Sequence, residues 1–266
     1  MIWLLVIRSL VLRKTSKNQR EKLRKKARAY IHEVLSTQLD AKLKAMGVSG
    51  YSIENITQVQ DKKGEWRPID SDKDPTVILL HYPSIVEDAI SYIPSRVKIE
   101  ISALSMDEPS EQREIHSLIE ECFEGEDAGA ISKVRTVLPT RTFLEKIFLI
   151  AEEFQKDKPR HLRMSRHLYD LEKLMDTLYG RDALSDGPLY NAIVEHRRTY
   201  YALKYINYDL HTPSTINFMI PEKELELWKT DYAAMKQFFI YGQSLEFNEL
   251  TQRIEELNKR IKKIVF

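Results

Sequence analysis

One cysteine, eight glycines and no long apolar run set the first limits on this chain of 266 residues. The lone Cys122 excludes an internal disulfide and any zinc site built from cysteines. It also makes a cytoplasmic, reducing compartment the natural expectation. Met1-Ile-Trp-Leu-Leu-Val-Ile7 is apolar, yet no basic region precedes it and Arg8 interrupts it well short of a bilayer span. A soluble protein without membrane association is therefore expected. A glycine-rich phosphate loop, a nucleophile elbow and a His/Cys dyad are all missing, which sets aside the enzyme classes built on them. His116, His161, His196 and His211 share no metal-ligand spacing and read as structural or surface residues. The chain has no internal repeat and no low-complexity tract.

The composition, 42% hydrophobic and 30% charged, is that of a folded globular protein and too apolar for disorder. A net charge of +1 conceals one asymmetry: from Arg13 to Arg28 there are nine lysines and arginines against the single acid Glu21. Such a block attracts phosphate-rich partners; it equally describes a solvated helix face.

Hydrophobic spacing predicts one long helix from Asn18 to Met46, stopped by Gly47. Strand-like sequence follows at Tyr51 to Val59, Trp66 to Ile69 and Thr76 to Tyr82. Val97 to Ser102 alternates, with Val97, Ile99 and Ile101 on one side and Lys98, Glu100 and Ser102 on the other. A short helix at Glu111 to Phe123 and a strand at Lys133 to Leu138 come next. From Thr140 the pattern turns helical: Thr140 to Lys156, Arg163 to Tyr179, Pro188 to Tyr201, Glu222 to Tyr241 and Phe247 to Val265. Strands first and helices after make an α+β protein, with a sheet region at 1–139 and a helical region at 140–266.

Three residues stand out chemically. Glu100 lies mid-strand on the polar face, suited to a divalent cation or simply facing solvent beside Lys98. In the helix after Pro139, Thr140 is a plausible N-cap. Phe143, Leu144, Ile147, Phe148 and Ile150 form its buried stripe, and Arg141 and Glu145 stand one turn apart. Lys146 borders that stripe, where an ammonium reaches either a triphosphate or, by snorkelling, the solvent. In the next helix Arg166, Asp170 and Lys173 share one face, opposite Met164, Leu168, Leu171, Met175 and Leu178. Arg160, Arg163, Arg166 and His167 surround Asp170 in sequence. That density suits phosphate binding, although alternating charge is also the pattern of a surface ion-pair ladder.

Ser16-Lys-Asn-Gln-Arg-Glu-Lys-Leu-Arg24, Val97-Lys-Ile-Glu-Ile-Ser102, Arg141-Thr-Phe-Leu-Glu-Lys146 and Ser165-Arg-His-Leu-Tyr-Asp-Leu171 together resemble the nucleotidyltransferase AbiEii/AbiGii toxin family. Trp228, Asp231, Tyr232, Met235 and Tyr241-Gly242 add to the likeness, which runs from about Ser16 to the C-terminus. The resemblance implies a polymerase-β-like mixed sheet followed by a helical C-terminal region. It also implies an NTP substrate with Mg²⁺, an acceptor such as tRNA, and a cognate antitoxin in a toxin–antitoxin or phage-defence system. Carried onto this chain, Glu100 is the third metal carboxylate, and Lys146 and Asp170 are the catalytic pair. Arg141, Arg163, Arg166 and Lys173 are the candidates for nucleotide phosphate contacts.

The family pattern also contains a Gly-Gly-Ser/Thr turn and an Asp-x-Asp strand ahead of the long helix, and Met1 to Thr15 matches neither. Met-Ile-Trp-Leu, back-translated and read two bases later, spells Asp, then Leu or Met, then Ala or Val. Residues 1–15 are therefore expected to be an out-of-frame reading, the sheet to be incomplete at its N-terminus, and the chain as given to be weakly active or inactive. A non-enzymatic RNA- or protein-binding module on the same scaffold is the competing reading. An amphipathic oligomerisation piece is a third.

Overall fold

The computed structural model describes residues 3–4, 16–61, 63–84, 94–106, 108–123 and 131–266. The chain divides into two units, Met1–Met106 and Asp107–Phe266. Of the expected out-of-frame segment, only the pairing of Trp3–Leu4 falls among the described residues.

In the first unit, helix α1 (Lys17–Tyr30) starts at a capping box: Ser16 Oγ accepts from the Gln19 amide, and Gln19 Oε1 accepts from the Ser16 amide at 2.7 Å. The helix passes through a π-turn at Ile31–Leu35 into α2 (Ser36–Ala45), and Gly47 leaves it at φ +76°. The expected long helix is thus present with a bulge in the middle. Asn55 Nδ2 donates to the His32 carbonyl in that bulge at 3.3 Å.

The strands are β1 (Trp3–Leu4), β2 (Ser52–Asn55), β3 (Gln58–Gln60), β4 (Trp66–Pro68), β5 (Thr76–His81) and β6 (Arg96–Ile101), of which β4, β5 and β6 follow the sequence pattern closely. Four of them form a mixed sheet in the order β1-β6-β5-β2, with β1 parallel to β6 and the other pairs antiparallel. β3 and β4 make a separate hairpin. The expected single strand from Tyr51 to Val59 therefore breaks between β2 and β3, where the Ile56 carbonyl accepts from Arg28 Nη2 at 3.0 Å. Ile31, Ile78 and Ile101 form the core of the unit, with Ala27, Leu35, Ile53 and Ile99 packed around them.

The second unit opens with a hairpin of β7 (Ser110–Ile115) and β8 (Ser132–Val137), with the short helix α3 (Leu118–Cys122) between them. A helix was expected over Glu111 to Phe123, because Glu, Gln and Arg favour helices. Cross-strand pairing overrides that preference: Glu114 lies opposite Lys133 with an ion pair at 3.2 Å, and Arg135 Nε donates to Ser110 Oγ at 2.6 Å. This hairpin groups with the helices that follow it, so the change of pattern at Thr140 falls inside the second unit.

The helices are α4 (Pro139–Glu153), α5 (Ser165–Met175), α6 (Leu178–Ser185), α7 (Gly187–His196), α8 (Leu225–Phe238) and α9 (Phe247–Lys262). Phe143, Leu144, Ile147, Phe148 and Ile150 of α4 are fully buried, as their spacing requires, and so are Leu168, Leu171 and Met175 of α5. Two expectations fail. Thr140 is not the N-cap of α4: Leu138 holds that place, Pro139 starts the helix, and Thr140 is buried in its first turn. Leu178 is 62% exposed, because α5 ends at Met175 and Leu178 opens α6 in a new direction.

Candidate active site

Lys146 projects from the middle of α4 and Asp170 from the middle of α5. Lys146 Nζ lies 2.6 Å from Asp170 Oδ2, with the lysine side chain 19% and the aspartate 39% exposed. The ammonium therefore does not snorkel away. It is held by a carboxylate from the neighbouring helix at a place open to solvent. His167 Nδ1 approaches the same Nζ at 3.4 Å.

α4 is fixed by a quartet of charges, of which Arg141, Glu152 and Arg197 are buried and Glu145 is half-buried. Arg197, in a π-turn at Arg197–Tyr201, donates through Nε and Nη2 to the two oxygens of Glu152 at 2.7 and 2.6 Å, and through Nη1 to Glu145. Arg141 donates to Glu145 at 2.9 Å and to the Glu108 carbonyl at 2.9 Å. Burial alone raises the Glu145 pKa, but the positive charges of Arg197 and Arg141 outweigh it and hold the carboxyl below its ordinary value. Burial likewise works against charge on Arg197, yet Glu152 and Glu145 keep its guanidinium above the usual range. Three of the four, Arg141, Glu145 and Glu152, lie on α4 on either side of Lys146, and their contacts fix the rotation of the helix that carries it.

α5 is held from outside at both ends. Asp231 of α8, itself buried, accepts from the Arg163 amide at 2.5 Å, the Ser165 amide at 3.0 Å and Ser165 Oγ at 2.5 Å. It supplies the acceptors that the first turn lacks, since Met164 at the N-cap offers none. Arg163 is drawn into the left-handed region at φ +59°. At the other end Asp176 pairs with Arg260 at 2.7 Å and with Arg253, both from α9.

Two of the arginines singled out from the sequence are held by glutamates instead. Arg160 turns to Glu153, with Nη2 at 2.7 Å and Nε at 3.0 Å. Arg141 is buried in the quartet. Lys173 pairs with Glu172 at 3.2 Å and lies over the Tyr169 ring. Arg166 stays close enough to depress the pKa of His167. His167 is not one of the positive charges around Asp170: burial first, then the charges of Lys146, Arg166 and Arg160, push its pKa down to about 3. The ring is neutral. Sequence reasoning missed Asp231, Arg197 and Glu152 as supports. Their partners lie 45 to 68 residues away, where helical spacing carries no signal.

In the first unit, Glu100 stands on β6 with its side chain 22% exposed and Lys98 Nζ 2.7 Å away. Trp3–Leu4 runs parallel beside it, Leu4 opposite Glu100. Among the described residues no group of three His, Cys, Asp or Glu side chains could hold a metal ion. One carboxylate already paired with a lysine does not meet the needs of a divalent cation, which takes six or so oxygen ligands. The described residues therefore do not fit the family's metal site. Among them, too, no helix is long and apolar enough to cross a membrane.

A mixed sheet followed by a helical region, with a lysine–aspartate pair on adjacent helices, fits a nucleotidyltransferase-like protein. The chain matches the family described as Nucleotidyl transferase AbiEii toxin, Type IV TA system, over residues 10–256, and it belongs to that family. The family is one of enzymes, so membership brings an NTP substrate, a divalent cation and an antitoxin partner in general terms. None of the curated proteins matches the chain.

Proposed function

We propose that the chain is a truncated form, weakly active or inactive as given, of an enzyme that transfers a nucleotide from an NTP to an RNA acceptor such as tRNA in the cytoplasm, and that a cognate antitoxin opposes that enzyme. The observation that carries this reading is the 2.6 Å pair of Lys146 and Asp170 at a solvent-open place on two rigidly held helices. The acceptor hydroxyl oxygen forms a bond to the α-phosphorus, and the bond from that phosphorus to the bridging oxygen breaks. Pyrophosphate leaves with the electron pair, and the hydroxyl proton passes to Asp170. Lys146 offsets negative charge on the phosphates as it builds. Glu100, which the family likeness assigns to Mg²⁺, is the carboxylate we would mutate to examine metal dependence.

Labelled NTPs incubated with tRNA and Mg²⁺ test the reading, with the chain as given and with its upstream reading frame restored. Transfer that falls about 10³-fold in Lys146→Met and Asp170→Asn is expected, the scale of losing one preorganised electrostatic partner. Equal labelling by either variant would end the assignment.

The second reading, a non-enzymatic RNA binder, draws on α1. Its fourteen residues carry Lys17, Arg20, Lys22, Arg24, Lys25, Lys26 and Arg28 against Glu21, and Lys17, Lys22, Lys25 and Lys26 are exposed alongside Tyr30. Binding that weakens steeply with salt, and no labelling by either version of the protein, would favour it.

A further inference from the structure

Lys146 is gripped from one face of α5 by two groups of different character. Asp170 Oδ2 lies 2.6 Å from Nζ, and His167 Nδ1, one turn earlier on the same helix, lies 3.4 Å away. An ammonium carries three N–H donors and no acceptor. Toward Lys146 the imidazole nitrogen is therefore the acceptor, with the lone pair on Nδ1 and the ring proton on Nε2. His167 is suited to that state, being 8% exposed and neutral, with its pKa pushed down to about 3.

A single ion pair at a half-open place leaves a long lysine free to pivot about the carboxylate, and such pairs contribute little. A second acceptor at another angle fixes the direction of the ammonium. A second carboxylate would do the same but would cancel the positive charge that a phosphate needs. A neutral imidazole supplies direction without cancelling charge.

We propose that His167 is a positioning residue for Lys146: its Nδ1 lone pair and the Asp170 carboxylate together fix two of the three ammonium N–H bonds and leave the third for a phosphate oxygen of the nucleotide. The assignment of that third bond rests on the nucleotide reading given above; the two-point grip does not.

Two substitutions separate the roles of the ring. His167→Asn keeps an acceptor oxygen near the Nδ1 position, and His167→Leu keeps bulk without an acceptor. With ¹⁵N-labelled lysine, and the Lys146 side-chain signal identified by its loss in Lys146→Arg, the grip is expected as a slowly exchanging ammonium. That signal is expected to persist in His167→Asn and to shift and exchange faster in His167→Leu. Affinity for inorganic triphosphate is expected to fall about tenfold in His167→Leu, the scale of one hydrogen bond to a charged group, and to stay within about threefold in His167→Asn.

Should His167→Leu fail to fold in a thermal melt, His167→Gln takes its place. Its carboxamide reaches past the Nδ1 position and is expected to lose the grip. A Lys146 signal unchanged by loss of the acceptor, or a His167→Asn protein no better than the leucine variant, would overturn the proposal. An intact grip in a wild-type protein that binds no triphosphate would count against the nucleotide reading and against the third N–H bond alone.

Discussion

Arg197 sits between two carboxylates, with nearly all of its surface removed from water. Removing one partner from such an arrangement leaves uncompensated charge in the interior, which is more damaging than replacing the whole set with apolar groups. Arg197→Met is expected to destabilise the protein by about 3–5 kcal/mol, measurable by urea denaturation. Adding Glu152→Gln to it, which leaves Glu145 to Arg141, should recover part of that loss. A double variant less stable than Arg197→Met would show that Glu152 has other work. Within the quartet, the Arg141–Glu145 contact was legible in the sequence because both residues lie on one helix, four apart. Arg197 was not, because nothing in Pro188 to Tyr201 distinguishes an inward arginine from a surface one.

At the scale of elements, the sequence served best where a single face decides burial. The apolar stripe of α4 and the alternation of β6 came out as their spacing requires. It served worst where a distant residue finishes an element: the cap of α5 comes from Asp231, and β7 exists because β8 pairs with it. Asp231→Ala removes a buried charged acceptor from two amides and a hydroxyl. It is expected to cost about 2–3 kcal/mol, with faster hydrogen exchange at the Arg163 and Ser165 amides. Unchanged exchange at those amides would refute the cap. In the first turn of α6, Gly180 packs against the end of α5 with no room for a side chain: a Cβ there would come within 2.3 Å of the Leu174 carbonyl oxygen and 2.9 Å of Met175 Cα. Gly180→Ala should lower stability by about 1–3 kcal/mol, a loss visible as a reduced melting temperature.

For the molecule as a whole, two buried histidines contribute to the response to acid. His167 and His211 have native pKa values lowered to about 3 and about 4, burial being the largest cause for both. A histidine in the unfolded chain takes up its proton near pH 6.5, while the native ring refuses it. Unfolding therefore gains as pH falls below 6.5, and each group goes on contributing until the pH passes its native value. At pH 5 the two together are expected to remove roughly 4 kcal/mol. Denaturation at pH 7 and pH 5 measures this, and His167→Asn should reduce the difference by about half. Equal stability at the two pH values would show that the native rings titrate normally. The mixed sheet and helical second half were readable from element order alone. The grouping of the β7–β8 hairpin with the helices was not, because units are defined by contacts and not by the order of strands and helices.

The two-ended clamp on α5 bears on the timing of synthesis. Its N-terminal turn is completed by residue 231 and its C-terminal end by residues 253 and 260, so neither anchor exists until most of the chain has left the ribosome. Upstream segments fold first as a polypeptide emerges, yet the helix bearing Asp170 must wait for these late arrivals. The Lys146–Asp170 pair is therefore expected to reach its final geometry only after residues 231 to 260 have been made.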